Sequence, residues 1–327
     1  MKLQASVRVS LLPAGFLTLP EHFFCADQQD KSIRNLVPSM SFLLEHIQTG
    51  TKIVFDLGLR RDLSSYPGNI QPHLRTRQPI HTIPDVCDSL IHGGLDPADI
   101  DGVILSHMHY DHVGTPSRFT TAKFIVGHGT RHILRNGMNY HSAAHFEKDL
   151  LPDDRTIELP VQKNISRFGH PIEIATQFAK NSLSSVSPEG RHDWNELYPF
   201  ENVIDLFDDG SFYIVDSPGH LLGHINVLVR VSSDRWIYLA GDACHHSRIL
   251  NGETEMAEWE ENGQHVCIHA DKRLASNTLS RIQKLKTDGF RGGSVEVVLA
   301  HDAQWYQNNL NAIFPGAVNE WSGLQKI

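Results

Sequence analysis

Apolar Leu3, Ala5, Val7 and Val9 alternate with polar Lys2, Gln4, Ser6 and Arg8, the period of a strand with one buried face. Pro13 and Gly15 are expected to end that strand. The apolar stretch 11–19 behind Lys2 and Arg8 also has the outline of a signal peptide, but the alternation favours the strand. Residues 41–47 and 52–56 follow as two strands around the turn Gln48-Thr49-Gly50. Residues 60–81 are polar and interrupted by Pro67, Gly68, Pro72 and Pro79, which predicts a long loop, either a solvated connection or a wall or lid over a site. Residues 83–91 carry apolar positions at helical spacing and stop at Gly93-Gly94.

The rest of the chain has the same texture. Strands are expected at 102–105, 123–126, 203–206, 212–215, 226–231, 236–240 and 295–299, with Leu274, Leu279, Ile282 and Leu285 on one helical face. The polar stretch around 128–200 reads as an insertion, and its His128, His132, His141, His145, His170 and His192 have no ligand-like spacing. Strands alternating with helices predict an α/β protein. No repeat, low-complexity tract or linker divides residues 1–327, so a single domain is expected.

Composition changes this picture little. The chain is 40% hydrophobic and 20% charged, ordinary for a globule. A net charge of −9 argues against a nucleic-acid partner, because phosphate binding depends on Lys and Arg. Cys25, Cys87, Cys244 and Cys267 are scattered, which fits reduced thiols and a cytoplasmic location better than a disulfide framework. No apolar run approaches the roughly 18 to 20 residues of a membrane span. A homodimer is compatible with all of this.

The chemistry concentrates in Ser106-His107-Met108-His109-Tyr110-Asp111-His112-Val113-Gly114. A buried strand ending in a polar loop delivers its last side chains to a sheet edge, where imidazoles and carboxylates converge on a cation. His107 and His109, two apart, point the same way in extended chain and could share one ion. Asp111 and His112 fall where a helix should start and could reach a second ion.

This spacing resembles the His-x-His-x-Asp-His signature of the metallo-β-lactamase superfamily. Asp216-Ser217-Pro218-Gly219-His220, Leu239-Ala240-Gly241-Asp242 and Val298-Leu299-Ala300-His301-Asp302 look like the family's three later ligand segments, and Ile53-Val54-Phe55-Asp56-Leu57-Gly58 like its supporting strand. The resemblance implies an αβ/βα four-layer sandwich of two mixed sheets with outer helices. It implies one metal site of His107, His109 and His220 and another of Asp111, His112 and His301, with Asp242 bridging. Two Zn2+ are the implied ions, with Fe or Mn as substitutes. Ions about 3.5 to 4 Å apart hold a hydroxide that attacks a carbonyl, and Asp111 passes a proton to the leaving group. Asp56 is expected to orient a ligand histidine, Asp302 has the same claim on weaker grounds, and His224 is expected to be structural.

Within the family the ligand set, residues 93–100 and Ser217-Pro218-Gly219-His220 with Gly223-His224 look most like the quorum-quenching lactonases that open acyl-homoserine lactones. One position departs: a tyrosine that touches the substrate carbonyl there is His245 here, followed by His246. A histidine can protonate a leaving nitrogen, so fungal lactamases that open benzoxazolinone in xenobiotic detoxification are the alternative. Solvation or packing of His245 and His246 is the plain reading, and Cys244 is expected to be a small buried hydrophobe. A glyoxalase II-like thioesterase lacks a visible basic patch, a phosphodiesterase or nuclease is disfavoured by the acidic chain, and a metal-free scaffold is disfavoured because no ligand is missing.

Overall fold

The computed structural model describes residues 4–138, 145–161, 194–261 and 263–318. One six-stranded sheet runs in chain order through β1 (Val7–Pro20), β2 (Arg34–His46), β3 (Lys52–Phe55), β4 (Gly102–Ile104), β5 (Lys123–Val126) and β6 (Thr156–Glu158). The other follows β7 (Asn195–Leu197), β8 (Phe200–Asp205), β9 (Phe212–Asp216), β10 (Ile225–Arg230) and β11 (Arg235–Leu239). A small pair, β12 (Trp259–Glu261) and β13 (Gln264–Val266), precedes β14 (Ser294–Val298), which joins the second sheet beside β11. Both sheets are mixed: β1, β2 and β3 pair antiparallel while β3 to β6 pair parallel, and β14 is parallel to β11.

Side-chain alternation assembles the layers. Val227 and Val229 of β10 pack between the sheets with Val9, Leu44 and Phe55, while Leu228 between them faces outward. That outward face is covered by the helix Lys272–Asp288 through Ala275, Leu279, Ile282 and Leu285. On the other side Leu43, Val54 and Phe124 pack against the helices Val86–His92 and Thr130–Asn136. Helix, sheet, sheet, helix is the four-layer sandwich expected from the sequence. Each fully buried Leu or Val contributes about 1.5 to 3 kcal/mol.

Two expectations need correction. Pro13 and Gly15 do not end the first strand; β1 continues to Pro20 with a register shift between Pro13 and Phe16. β1 is an edge strand, where a proline forfeits no ladder bond and a bulge absorbs the mismatch. Residues 60–81 are not a plain loop either. They hold the helix Gln71–Arg75, with Pro72 in its first turn where its missing N–H costs nothing, and bury Tyr66, Ile70 and Leu74. The first strand begins at Val7, and the helix expected at 83–91 begins at Val86, after a capping box at Asp85. Among the described residues no helix is long and apolar enough to cross a membrane.

Candidate metal centre

β4 ends at Ile104, and the chain leaves the sheet through Ser106 and His107, both fully buried. What holds that exit is Asp56, at the end of β3. Its φ of 59° is left-handed, a conformation costing a non-glycine residue about 1 kcal/mol or more. In return its carboxylate accepts from Ser106 N at 2.6 Å and Ser106 Oγ at 2.7 Å, and faces His112 Nδ1 at 2.8 Å. The orienting contact expected of Asp56 is therefore made to His112.

The ligand atoms of His107, His109, His220 and Asp242 all lie within 4.8 Å of one another. His107 Nε2 is 2.9 Å from His109 Nδ1, and His220 Nε2 is 3.2 and 3.0 Å from those two atoms. Each ring nitrogen is either a donor or an acceptor, so three in mutual contact cannot all be joined by hydrogen bonds. Their separations match the roughly 3.3 Å edge of a tetrahedron with metal–nitrogen bonds of about 2.0 to 2.1 Å. Burial first, and neighbouring histidines second, push His107 and His220 well below 6.5, so both are neutral, the form that donates a lone pair to a cation.

Asp111, His112 and His301 form the neighbouring group within the same 4.8 Å limit. Asp242 stands between the two groups: its Oδ2 is 3.3 Å from His112 Nε2 and 3.5 Å from His220 Nε2, and its Oδ1 is 3.4 Å from His301 Nε2. Burial works against its charge, but His112, His245 and His301 hold it well below 3.8. Burial likewise opposes protonation of His112 and His301, and Asp242 outweighs it, raising both above 6.5. His301 Nδ1 is fixed 2.8 Å from the Pro38 carbonyl.

The donor set suits divalent cations. Five imidazoles and two carboxylates are nitrogen and oxygen ligands that zinc, iron or manganese accept. His112 Nε2 and Asp242 Oδ1 are buried without a hydrogen bond among the described residues. Leaving each so costs about 1 to 3 kcal/mol, and a cation between them removes that cost.

The other candidates divide cleanly. His245 lies against the site, Nε2 3.1 Å from Asp242 Oδ2 and its ring stacked on Phe24 at 4.6 Å. His246 instead caps the helix Ser247–Leu250 by accepting from Arg248 N. His224 is structural, its Nδ1 2.8 Å from the Ser217 carbonyl and its Nε2 accepting from Asp242 N at 3.3 Å. Asp302 caps the helix Ala303–Asn308 rather than supporting a ligand. Cys244 is buried, its thiol pushed up to about 12 by that burial. His128 and His132 sit away from the cluster near Glu158 and Asn136; His141, His170 and His192 lie outside the described residues.

Sequence reasoning missed His269. Its Nδ1 is 3.2 Å from His220 Nδ1, in the turn before the helix Lys272–Asp288. Backbone bonds from Ala270 N to His220 O and from Asp271 N to Gly219 O bring that turn in, and no local spacing announces them. His73, Arg77, Phe24 and Ile268 were missed as well; with Tyr110 they line the cleft that opens over the histidines, about 360 Å3 including the solvent at its mouth. Thus 60–81 forms a wall of the site.

The profile of the Metallo-beta-lactamase superfamily matches residues 34–288. The Cytochrome P450 monooxygenase mpaDE' of Penicillium brevicompactum is 27% identical over 343 aligned positions, covering 98% of this chain and 36% of that protein. Gamma-lactamase FDB1 of Fusarium pseudograminearum (strain CS3096) is 30% identical over 216 positions, 64% of this chain and 45% of that protein. The chain thus spans less than half the length of both curated relatives. A solved N-acyl homoserine lactone hydrolase, with its product N-hexanoyl-L-homoserine at the catalytic metal centre, aligns over 97% of this chain and 100% of its own with a TM-score of 0.62 and 16% identity, a likeness of fold.

Proposed function

The chain belongs to the metallo-beta-lactamase superfamily, and on that footing we propose that it is a dinuclear metal-dependent hydrolase that opens a small cyclic ester. The observation that carries this reading is Asp242, one buried carboxylate reached by imidazoles from two adjoining ligand groups. His107, His109 and His220 would hold one ion, Asp111, His112 and His301 the other, and Asp242 both. Bound there, a pair of divalent ions supplies a Lewis acid for the ring carbonyl and lowers the pKa of the hydrolytic water toward neutrality.

The chain's own groups do the rest. Leu19, Phe24 and Ile268 give the ring an apolar, poorly hydrated wall, which strengthens every electrostatic contact inside the cleft. Asp111 faces the cleft and can carry the proton to the ring oxygen as the acyl bond breaks. Asp56 keeps His112 in the tautomer whose Nε2 points at the site.

A cyclic amide is the second reading, and His245 favours it. Its imidazole lies in the same cleft beside Asp242, placed to donate a proton to a leaving nitrogen, which needs one more than an alkoxide does. The gamma-lactamase relative agrees with this reading. The test is a hydrolysis screen of metal-replete protein against acyl-homoserine lactones, γ-lactones and benzoxazolinone-type lactams, with bound metal quantified in parallel. Ring opening of a lactone by protein carrying about two metals is expected. Turnover confined to the lactam moves the function to lactamase, and inertness toward every ring refutes both.

A further inference from the structure

The cleft wall contains a cation that has no acidic partner among the described residues. Arg77 is 7% exposed and lines the cleft beside Tyr110 and Asp111. Among the described residues it forms no ion pair; its Nη1 donates to Thr76 Oγ1 at 3.1 Å and its side chain also hydrogen-bonds Tyr110, both neutral partners. The backbone holds it firmly, with Arg77 N bonded to Leu74 O at 3.1 Å and Thr18 N to Arg77 O at 3.0 Å. A guanidinium removed from water without a counter-ion is unfavourable unless a ligand supplies one.

On the side away from Asp111, further cations lie close to Arg77. Arg34 donates to the Thr76 carbonyl, next to Arg77 in sequence. His22 is depressed by burial first and then by Lys31, Arg34 and Arg77, which marks a local excess of cations in a chain of net charge −9. Glu21, the acid on this strip, is already engaged, accepting from Asn35 at 2.9 Å and lying 3.7 Å from Arg248.

We propose that Arg77 determines specificity by binding a carboxylate on the substrate, so that the ring opened at the metal centre belongs to an anionic cyclic ester or amide. This rests on the hydrolase reading for the ring and on Arg77 alone for the anion. A planar guanidinium offers paired N–H donors to a carboxylate, a geometry that a point charge lacks.

The experiment has two arms on the metal-loaded full chain. In the first, kcat/KM is measured for a γ-butyrolactone bearing a carboxylate and for its methyl ester. The wild-type protein is expected to prefer the acid by about tenfold to a hundredfold, the range of a charge-assisted hydrogen bond, and to lose that preference as salt rises. Arg77→Met should collapse the ratio, mainly through KM for the acid, and Arg77→Lys should restore part of it. A wild-type ratio near one, or the same ratio in Arg77→Met, overturns the proposal.

In the second arm, equilibrium titration compares benzenesulfonate, an anion that coordinates divalent ions poorly, with neutral methyl phenyl sulfone. Arg77→Met should weaken the anion about tenfold or more relative to the sulfone. Because no turnover is involved, Arg77-dependent anion binding in a protein that opens no ring would uphold this inference while sinking the hydrolase reading. Ring opening without any anion preference would do the reverse. Should Arg77→Met fail to fold, Arg77→Gln takes its place in both arms.

Discussion

Asp242 and Asp56 divide the work at the residue scale. Asp242→Ala removes the carboxylate that both ligand groups approach, and is expected to lose most bound metal and nearly all ring opening; wild-type metal content with an intact rate would refute the shared-ligand assignment. Asp56→Ala deletes three contacts from a strained position. Metal affinity, measured by chelator competition, should fall about 10- to 100-fold. Unchanged affinity would reduce Asp56 to a turn residue. His245→Tyr should raise the lactone-to-lactam ratio, and an unchanged ratio would mean that His245 does not touch the ring. His224 supplies a pH signature. Burial pushes it down to about 4 from 6.5, so between those values the unfolded chain binds the extra proton. Its contribution, up to about 3 kcal/mol, is present above pH 6.5 and lost as pH falls toward 4. Urea unfolding of His224→Gln should therefore show a shallower loss of stability over that window than wild type. His107, His109, Asp111 and His112 were readable because they are one local motif; His269 and Arg77 were not, since only tertiary hydrogen bonds bring the one against His220 and the other to the cleft.

The elements deliver the candidate ligands because strands stop where side chains must converge. β4, β9, β11 and β14 end just before His107, His220, Asp242 and His301. Their periodicity made the strands legible, whereas β1's passage through Pro13 and the helix behind Pro72 were not, since proline's meaning depends on whether its N–H would have been used. Gly219 shows how tightly one such end is built. At φ 126°, a Cβ there would lie 2.1 Å from Ala275 N, so the helix Lys272–Asp288 can approach His220 only over a glycine. Gly219→Ala is expected to destabilise the fold by about 1 to 3 kcal/mol and to weaken metal binding with it. Wild-type unfolding and metal content would show that the helix has room to retreat.

Two sheets bury a core between them, and strand ends from both bring the candidate ligands together. The sandwich was legible from the order of motif-bearing strand ends, while the cleft was not, because residues from β1, from 60–81 and from the turn before Lys272 each contribute a wall. Buried imidazoles and carboxylates without cations are costly, so stability should follow metal by mass action: a hundredfold excess of free Zn2+ over its Kd raises stability by about 2.7 kcal/mol, and chelation removes it. The most direct test of a two-ion hydrolase is add-back of Zn2+ to metal-depleted protein, with the initial rate of γ-lactone opening as readout. The rate should climb from near zero and level off at about two equivalents per chain. A rate that survives metal removal, or does not respond to Zn2+ while the same protein binds it, would contradict the account.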